Sequence, residues 1–438
     1  MRRILLVCLL AYSLFILGLI TRSGEILTLT IPFVILLGFS FYHAPNKPKL
    51  KITRSLSDEG ISPGKPILVK LKIQNEGDFL EELWVEDRID PNLEVIEGRV
   101  RNLITLLPEG SLELIYTVRG RRGNYQLQKV HISASESTAL FVRQDDLNAT
   151  GKFYIKPDVW HLRSIAIRPL RTHLYSGPIP ARRGGAGLNF YDVREYALGD
   201  PLRWINWKVT ARHEEELYTN QFEQERVADV GIILDARSQT EVVLPKHNPG
   251  ENEFELNSIF EYSIHAAAAL AETFLHDGHR VGLLTYGRGQ HATFPGYGKI
   301  QRERILRALA QARTGDNVAL ESLTYLPARF FPPHSQIVLI SPLTTGDPPV
   351  LTRLLAHGYQ LLVISPDPIS FEARQAPKTL ETEQAFRLAQ VERTLLLRRL
   401  QRYGIGVINW QVNEPLERVI GSTLHRIPGE IRMIGSGL

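Results

Sequence analysis

Cysteine is almost missing from this chain of 438 residues: Cys8 is the only one, and it lies in an apolar run. Outside that run no disulfide and no thiolate metal cluster can form, which fits a reducing compartment. A charge excess of one sign is missing too. The formal net charge is +4 and charged residues make up 22% of the chain. That balance suits a globular protein and is too small to argue for nucleic acid. No long basic run with interleaved aromatics occurs, so no nucleic-acid partner is expected.

Catalytic motifs are also missing. There is no Gly-x-Ser-x-Gly elbow and no His-Glu-x-x-His helix. The basic stretch Arg182-Arg183-Gly184-Gly185-Ala186-Gly187 reads as a flexible loop, but it lacks the Lys-Ser/Thr ending of a phosphate-binding loop. His213 stands beside three glutamates, and His276 and His279 flank the turn at Asp277-Gly278. None of these makes a catalytic set, and no enzyme activity is expected. The alternatives are a hydrolase whose carboxylates pair only in space, and an envelope- or polysaccharide-binding protein.

What the chain does have begins at its start. Ile4 to Ile20 is uncharged and almost wholly apolar, and a second uncharged run covers Ile26 to Tyr42. Each is close to the roughly 20 residues that cross a bilayer. A cleaved signal peptide fits less well, because no small-residue cleavage site follows and a second span comes at once. Arg2 and Arg3 precede the first run, while Lys47, Lys49, Lys51 and Arg54 follow the second. The basic flanks predict a membrane hairpin over 1–44 with both ends cytoplasmic. On that side the Asn148-Ala149-Thr150 sequon is irrelevant.

From 45 to 157 the pattern changes to strands. Val69, Leu71 and Ile73 alternate with lysines, Leu112 to Val118 alternates again, and turn clusters separate these runs. Short alternating strands over about 100 residues predict an all-β, sandwich-like domain that acts as a spacer or docking surface.

Residues 158–225 read as a connector carrying a dense segment, FYDVREYALGDPLRWINWKVTAR, from 190 to 212. Asp200 followed by Pro201 predicts a helix start, with Trp204 and Trp207 on one face. Arg203, Lys208 and Arg212 add positive charge beside them. Tryptophan and arginine are the usual anchors of protein interfaces, and a structural joint between domains is the other use for them. The set Arg194, Glu195, Tyr196, Gly199, Asp200, Arg203, Trp207, Lys208 and Arg212 resembles the signature of a bacterial family catalogued as domain of unknown function 58. The whole layout is similar as well: two N-terminal spans, a β region, the signature, then a von Willebrand factor A-like domain. The resemblance implies a membrane-anchored cytoplasmic scaffold or adaptor that works with a MoxR-type AAA+ ATPase.

Residues 226–438 agree with that layout on their own evidence. Val227 to Leu234 is an apolar run ending at Asp235, and apolar strand runs then alternate with helical stretches up to Ile405–Trp410. Alternating strand and helix predicts a doubly wound α/β sheet with ligands at the strands' carboxyl ends. Among the helices, Thr379 to Tyr403 places Leu388, Val391 and Leu395 at helical spacing.

The von Willebrand factor A resemblance implies a Mg²⁺ loop of the form Asp-x-Ser-x-Ser. Here the loop reads Asp235-Ala236-Arg237-Ser238-Gln239-Thr240, and both serine positions are changed. After the third strand the expected aspartate is absent, the sequence being Ser341-Pro342-Leu343-Thr344-Thr345-Gly346-Asp347. The Arg237 guanidinium is expected where the cation would sit, paired with Asp235. Read one position out of register, Ser238 and Thr240 would be left as ligands. No cofactor is expected.

Overall fold

The computed structural model describes residues 2–44, 46–136, 138–163, 172–173, 179–213, 216–245, 256–287, 290–316, 323 and 330–424. The chain forms two compact units, Met1–Lys156 and Pro157–Leu438.

The first unit opens with α1 (Arg2–Thr21), α2 (Gly24–Thr28) and α3 (Ile31–Tyr42). The stretches Arg3–Thr21 and Gly24–Tyr42 are each long and apolar enough to cross a bilayer. The second is interrupted at Leu29–Thr30, where Pro32 cannot donate to a carbonyl in the preceding turn and instead opens α3 near its first position.

Among the described residues nine strands follow: β1 (Leu50–Leu56), β2 (Gly60–Ile61), β3 (Ile67–Asn75), β4 (Leu80–Asp87), β5 (Leu93–Gly98), β6 (Arg101–Leu106), β7 (Ser111–Gly120), β8 (Gly123–Ser135) and β9 (Val142–Ile155). They form two sheets, ordered β1-β3-β7-β5 and β2-β9-β8-β4-β6. β3 buries Ile67, Val69, Leu71 and Ile73 and exposes Lys70 and Lys72, as a period of two requires. Its inward residues pack with Leu83, Val85, Val130 and Ile132 at one end of a shared core and with Tyr125, Leu127, Phe153 and Ile155 at the other. Within that core the buried Arg54 pairs with Asp87, which also accepts from the Tyr116 hydroxyl at 2.6 Å.

The second unit contains β10 (Thr172–His173), β11 (Ile179–Glu195), α4 (Trp207–Thr210), β12 (Tyr218–Asp235), α5 (Ile259–His276), β13 (Arg280–Tyr286), β14 (Gln290–Gly296), α6 (Gly298–Gln311), β15 (Gln336–Ile340), α7 (Pro348–Ala356), β16 (Gln360–Pro366), α8 (Pro368–Glu372), α9 (Leu380–Arg402), β17 (Gly406–Trp410) and α10 (Leu416–Leu424). The central sheet runs β14-β13-β12-β15-β16-β17 and is parallel except for β14. Successive residues of its strands point to opposite faces. Val230, Ile232 and Leu234 pack with α5, α6 and α10, while Ile233, Leu339 and Val363 pack with α7 and α9. Ala266 to Ala269 of α5 are all fully buried, and their small side chains let that helix lie close on the sheet.

Three local expectations change. The glycine-rich stretch 182–187 is part of β11, bulged where its pairing with β12 slips between Ala181 and Gly184 and again after Gly185. The border expected at 225/226 falls inside β12, which continues unbroken from the β11 hairpin into the centre of the sheet. On α9, Leu388, Val391 and Leu395 are exposed, and the buried face carries Arg393, Leu397 and Leu400. Two of the three glutamates beside His213, Glu214 and Glu215, lie outside the described residues.

Candidate functional site

Strand order fixes where the chemistry gathers. From β12 the chain moves to β13 on one side and later returns to β15 on the other. The crevice between the carboxyl ends of β12 and β15 is the switch point where such sheets place ligands. Asp235 ends β12, Tyr286 ends β13, and Ser341 directly follows β15.

Arg237 fills that crevice. Its Nε and Nη2 donate to the Asp235 carboxylate at 3.0 and 2.8 Å. Its Nη1 and Nη2 donate to Asp347 at 3.0 and 2.9 Å. The Arg237 backbone N–H and the Ser341 hydroxyl donate to Asp235 as well, at 3.0 and 2.6 Å. All three charged side chains are almost wholly buried. Two forked pairs on one guanidinium suit arginine and no other cationic side chain. Burial opposes the charge on Arg237, but the hydrogen bonds it donates to Asp235 and Asp347 outweigh that and raise its pKa. The guanidinium carbon lies 5.7 Å from the centre of the Tyr286 ring. The Tyr286 hydroxyl is buried without a hydrogen-bond partner. Burial first, then the Asp235 charge, pushes its pKa well above the usual tyrosine value.

The sequence reading paired Asp235 with Arg237 and missed Asp347. Leu343 takes a left-handed φ of 66°. The loop there folds back so that the Thr344 amide donates to Asp347 at 2.7 Å and the carboxylate reaches Arg237. A carboxylate does therefore return after the third strand, six residues past Ser341. Ser238, Gln239 and Thr240 form a short 3-10 turn. The Thr240 hydroxyl donates to the Arg237 carbonyl at 2.9 Å, away from Asp235, so the register-shifted ligands do not assemble. The residues present do not fit a divalent ion: a guanidinium occupies the space between the carboxylates. Among the described residues no group of three His, Cys, Asp or Glu side chains converges as metal ligands.

A second buried arginine closes the next stretch of the same edge. Arg393, from α9, lies 3.3 Å from Asp367. It donates to the carbonyls of Pro342, Ser365 and Pro366 and to Asn409. Burial lowers its pKa, partly offset by Asp367. Sequence reading missed it because an arginine on the inner face of a helix breaks the apolar spacing.

The signature segment lies at the β11–β12 hairpin. Arg194 donates to Asp200 at 2.7 Å, and the Ala197 amide donates to the same carboxylate at 3.0 Å. The Ala197 amide, followed by Arg194, holds the Asp200 carboxyl below its ordinary pKa. The Tyr196 hydroxyl donates to the Asp200 carbonyl at 3.1 Å, and Gly199 supplies a φ of 108°. With Asp200 committed to this turn, the helix expected from Pro201 does not form. Leu202–Trp204 is a 3-10 turn, Ile205 bridges to Thr219, and Asn206 caps the single turn of α4. Trp204 packs edge-on against Phe222 at 5.3 Å. Trp207 is 67% exposed and Leu202 70% exposed. Glu195, Arg203, Lys208 and Arg212 are exposed too. The structure thus separates the two tryptophans, one packed and one in solvent.

Residues 192–365 match the family model for DUF58, "Protein of unknown function DUF58". The DUF58 match takes in the hairpin from Asp192 onward, Arg237 with both of its carboxylates, and the strands up to Ser365. No curated protein matches the chain. Among solved structures, the CARDB domain of a Pyrococcus furiosus protein in complex with di-metal ions is 13% identical, with 26% of this chain and 91% of that chain covered and a TM-score of 0.19. The cupredoxin domain of amoB from Nitrosocaldus yellowstonii is 10% identical, covering 27% and 95%, with a TM-score of 0.18. A FixG-related protein from Vibrio parahaemolyticus is also 10% identical, covering 26% and 99%, with a TM-score of 0.18. Scores this low say nothing of this chain's function.

Proposed function

We propose that this chain is a membrane-anchored, non-enzymatic adaptor. The two apolar helices anchor it and both soluble parts lie in the cytoplasm. The nine-stranded module is a β-sandwich that acts as a spacer or docking surface. The sheet of the second unit is a doubly wound, von Willebrand factor A-like domain in which Arg237 replaces the metal. The partner is a MoxR-type AAA+ ATPase, bound through the signature hairpin.

One observation carries this reading. Arg194, Tyr196 and Asp200 spend their polar groups inside the turn, while Leu202 and Trp207 face solvent beside Arg203, Lys208 and Arg212. The segment offers a surface of anchor-type residues, apolar and cationic. The buried ion cluster supports the same reading, because carboxylates held by an arginine cannot bind substrate. The test is purification of the full chain from its native membranes with a photo-crosslinker at position 202. A crosslinked AAA+ ATPase, lost in Trp207→Ala while the melting temperature is unchanged, supports the proposal. Crosslinks to other proteins alone, or turnover of a hydrolase substrate by the purified chain, would end it.

A further inference from the structure

The two ends of the nine-stranded module differ in what they expose. The strand register defines the end nearest the membrane helices. Leu50 pairs with Asn75, Gln74 with Ser111, Leu80 with Leu106, and Ser135 with both Glu82 and Val142. The turns 76–79, 107–110 and 136–141 therefore lie together. Asn75 ties two of them, its side-chain amide donating to the carbonyls of Asp78 and Leu107 at 2.7 and 3.1 Å.

The third turn grips the second membrane helix. Ser40 of α3 is fully buried, and its hydroxyl meets that of Thr138 at 2.7 Å. Thr138 donates to Glu136, whose carboxylate also accepts the Leu140 and Phe141 amides at 2.9 and 3.1 Å. Phe41 and Phe141 meet edge to face at 6.1 Å. The turns at this end thus start within about one helical turn of the point where the chain leaves the apolar span.

Two of these turns present large apolar side chains to the outside: Phe79 is 51% exposed and Leu107 66% exposed. The turns at the opposite end, 62–66, 88–92 and 121–122, present no exposed large apolar residue. The asymmetry follows the position of the helices. Charge does not. Lys47 and Lys49 share this end with Glu76, Asp78 and Glu109, all exposed, so the local balance is close to neutral.

We infer that Phe79 and Leu107 insert into the interfacial layer of the same bilayer that α3 leaves. Aromatic and aliphatic side chains at headgroup depth are stabilised by their apolar area, without any need for anionic lipid. The foot fixes the module's tilt on the membrane and rests on the reading that the helices span it.

The test uses the full chain in phosphatidylcholine vesicles and the single native cysteine. Label at Cys8 reports whether α1 lies in the bilayer. In a Cys8→Ser background, an environment-sensitive dye is placed at Phe79→Cys, Leu107→Cys and, as the far-end control, Ser62→Cys. Lipids carrying a nitroxide near the headgroup are then added. The expected result is strong loss of fluorescence at 8, 79 and 107, little at 62, and the same pattern after phosphatidylglycerol is mixed in. Quenching at 8 with 79 and 107 behaving like 62 would overturn the foot and leave the anchor standing. Dye at 79 and 107 shielded from both lipid and aqueous quenchers would mean protein covers them, and overturns it too. No quenching at 8 would remove both readings.

Discussion

A single guanidinium between two buried carboxylates sets the energetics of the crevice at the end of β12. Removing one partner of a buried pair leaves uncompensated charge, and the usual cost is about 3–5 kcal/mol. Arg237→Ala is therefore expected to lower stability by that amount in urea titration. Arg237→Lys is expected to recover little of it, since an ammonium cannot make two forked pairs at once. His279 gives a second expectation. Its Nδ1 accepts the Ala228 amide at 3.3 Å, and burial lowers its pKa below the ordinary 6.5, partly offset by Asp277. A depressed pKa means the unfolded chain takes the proton first. The stabilising effect is complete above about pH 6.5 and is lost as pH falls toward the depressed value. Melting temperature should drop on acidification through that range, and less so in His279→Gln; an identical slope in the variant would place the titration elsewhere. At this scale the sequence was half legible. Asp235 and Arg237 stand two positions apart and can be paired by eye. Asp347 lies 110 residues from Arg237, and its arrival depends on a left-handed leucine that no spacing rule announces.

Among the elements, the hairpin and α9 depart furthest from what their sequence patterns imply. The alternation in β3 and the apolar runs of the parallel strands were plain in the sequence, because burial on one or two faces writes itself into hydropathy. The helix expected from Pro201 is absent because Asp200 has the right type for a cap but spends its carboxylate on Arg194 and Ala197. On α9 the outward leucines share a spacing with the inward ones, so periodicity alone could not choose the face. These differences have measurable consequences. Trp207→Ala should change stability by no more than about 0.5 kcal/mol, as surface substitutions do. Trp204→Ala, which loses the Phe222 contact, should cost more, about 1–3 kcal/mol, since it is only part-buried. Calorimetry on the two variants separates packing from surface; equal losses would contradict the division.

For the whole molecule, the two apolar helices were legible from composition. Their orientation rests on basic flanks alone. With both ends cytoplasmic, protease added to intact cells should leave the chain from residue 50 onward uncut, while the same protease added to inverted vesicles should degrade it. Cleavage in intact cells would reverse the topology. The unbroken length of β12 has a mechanical consequence. Its 18 residues reach about 60 Å at strand rise, from the exposed hairpin to the carboxylate at the sheet's heart. A motor tugging on the hairpin would draw this strand lengthwise between β13 and β15. The backbone bonds that Asp229–Asp235 makes to these two neighbours would then share the load together, in shear, and the force would arrive at the Asp235–Arg237 clasp with no slack loop to absorb it.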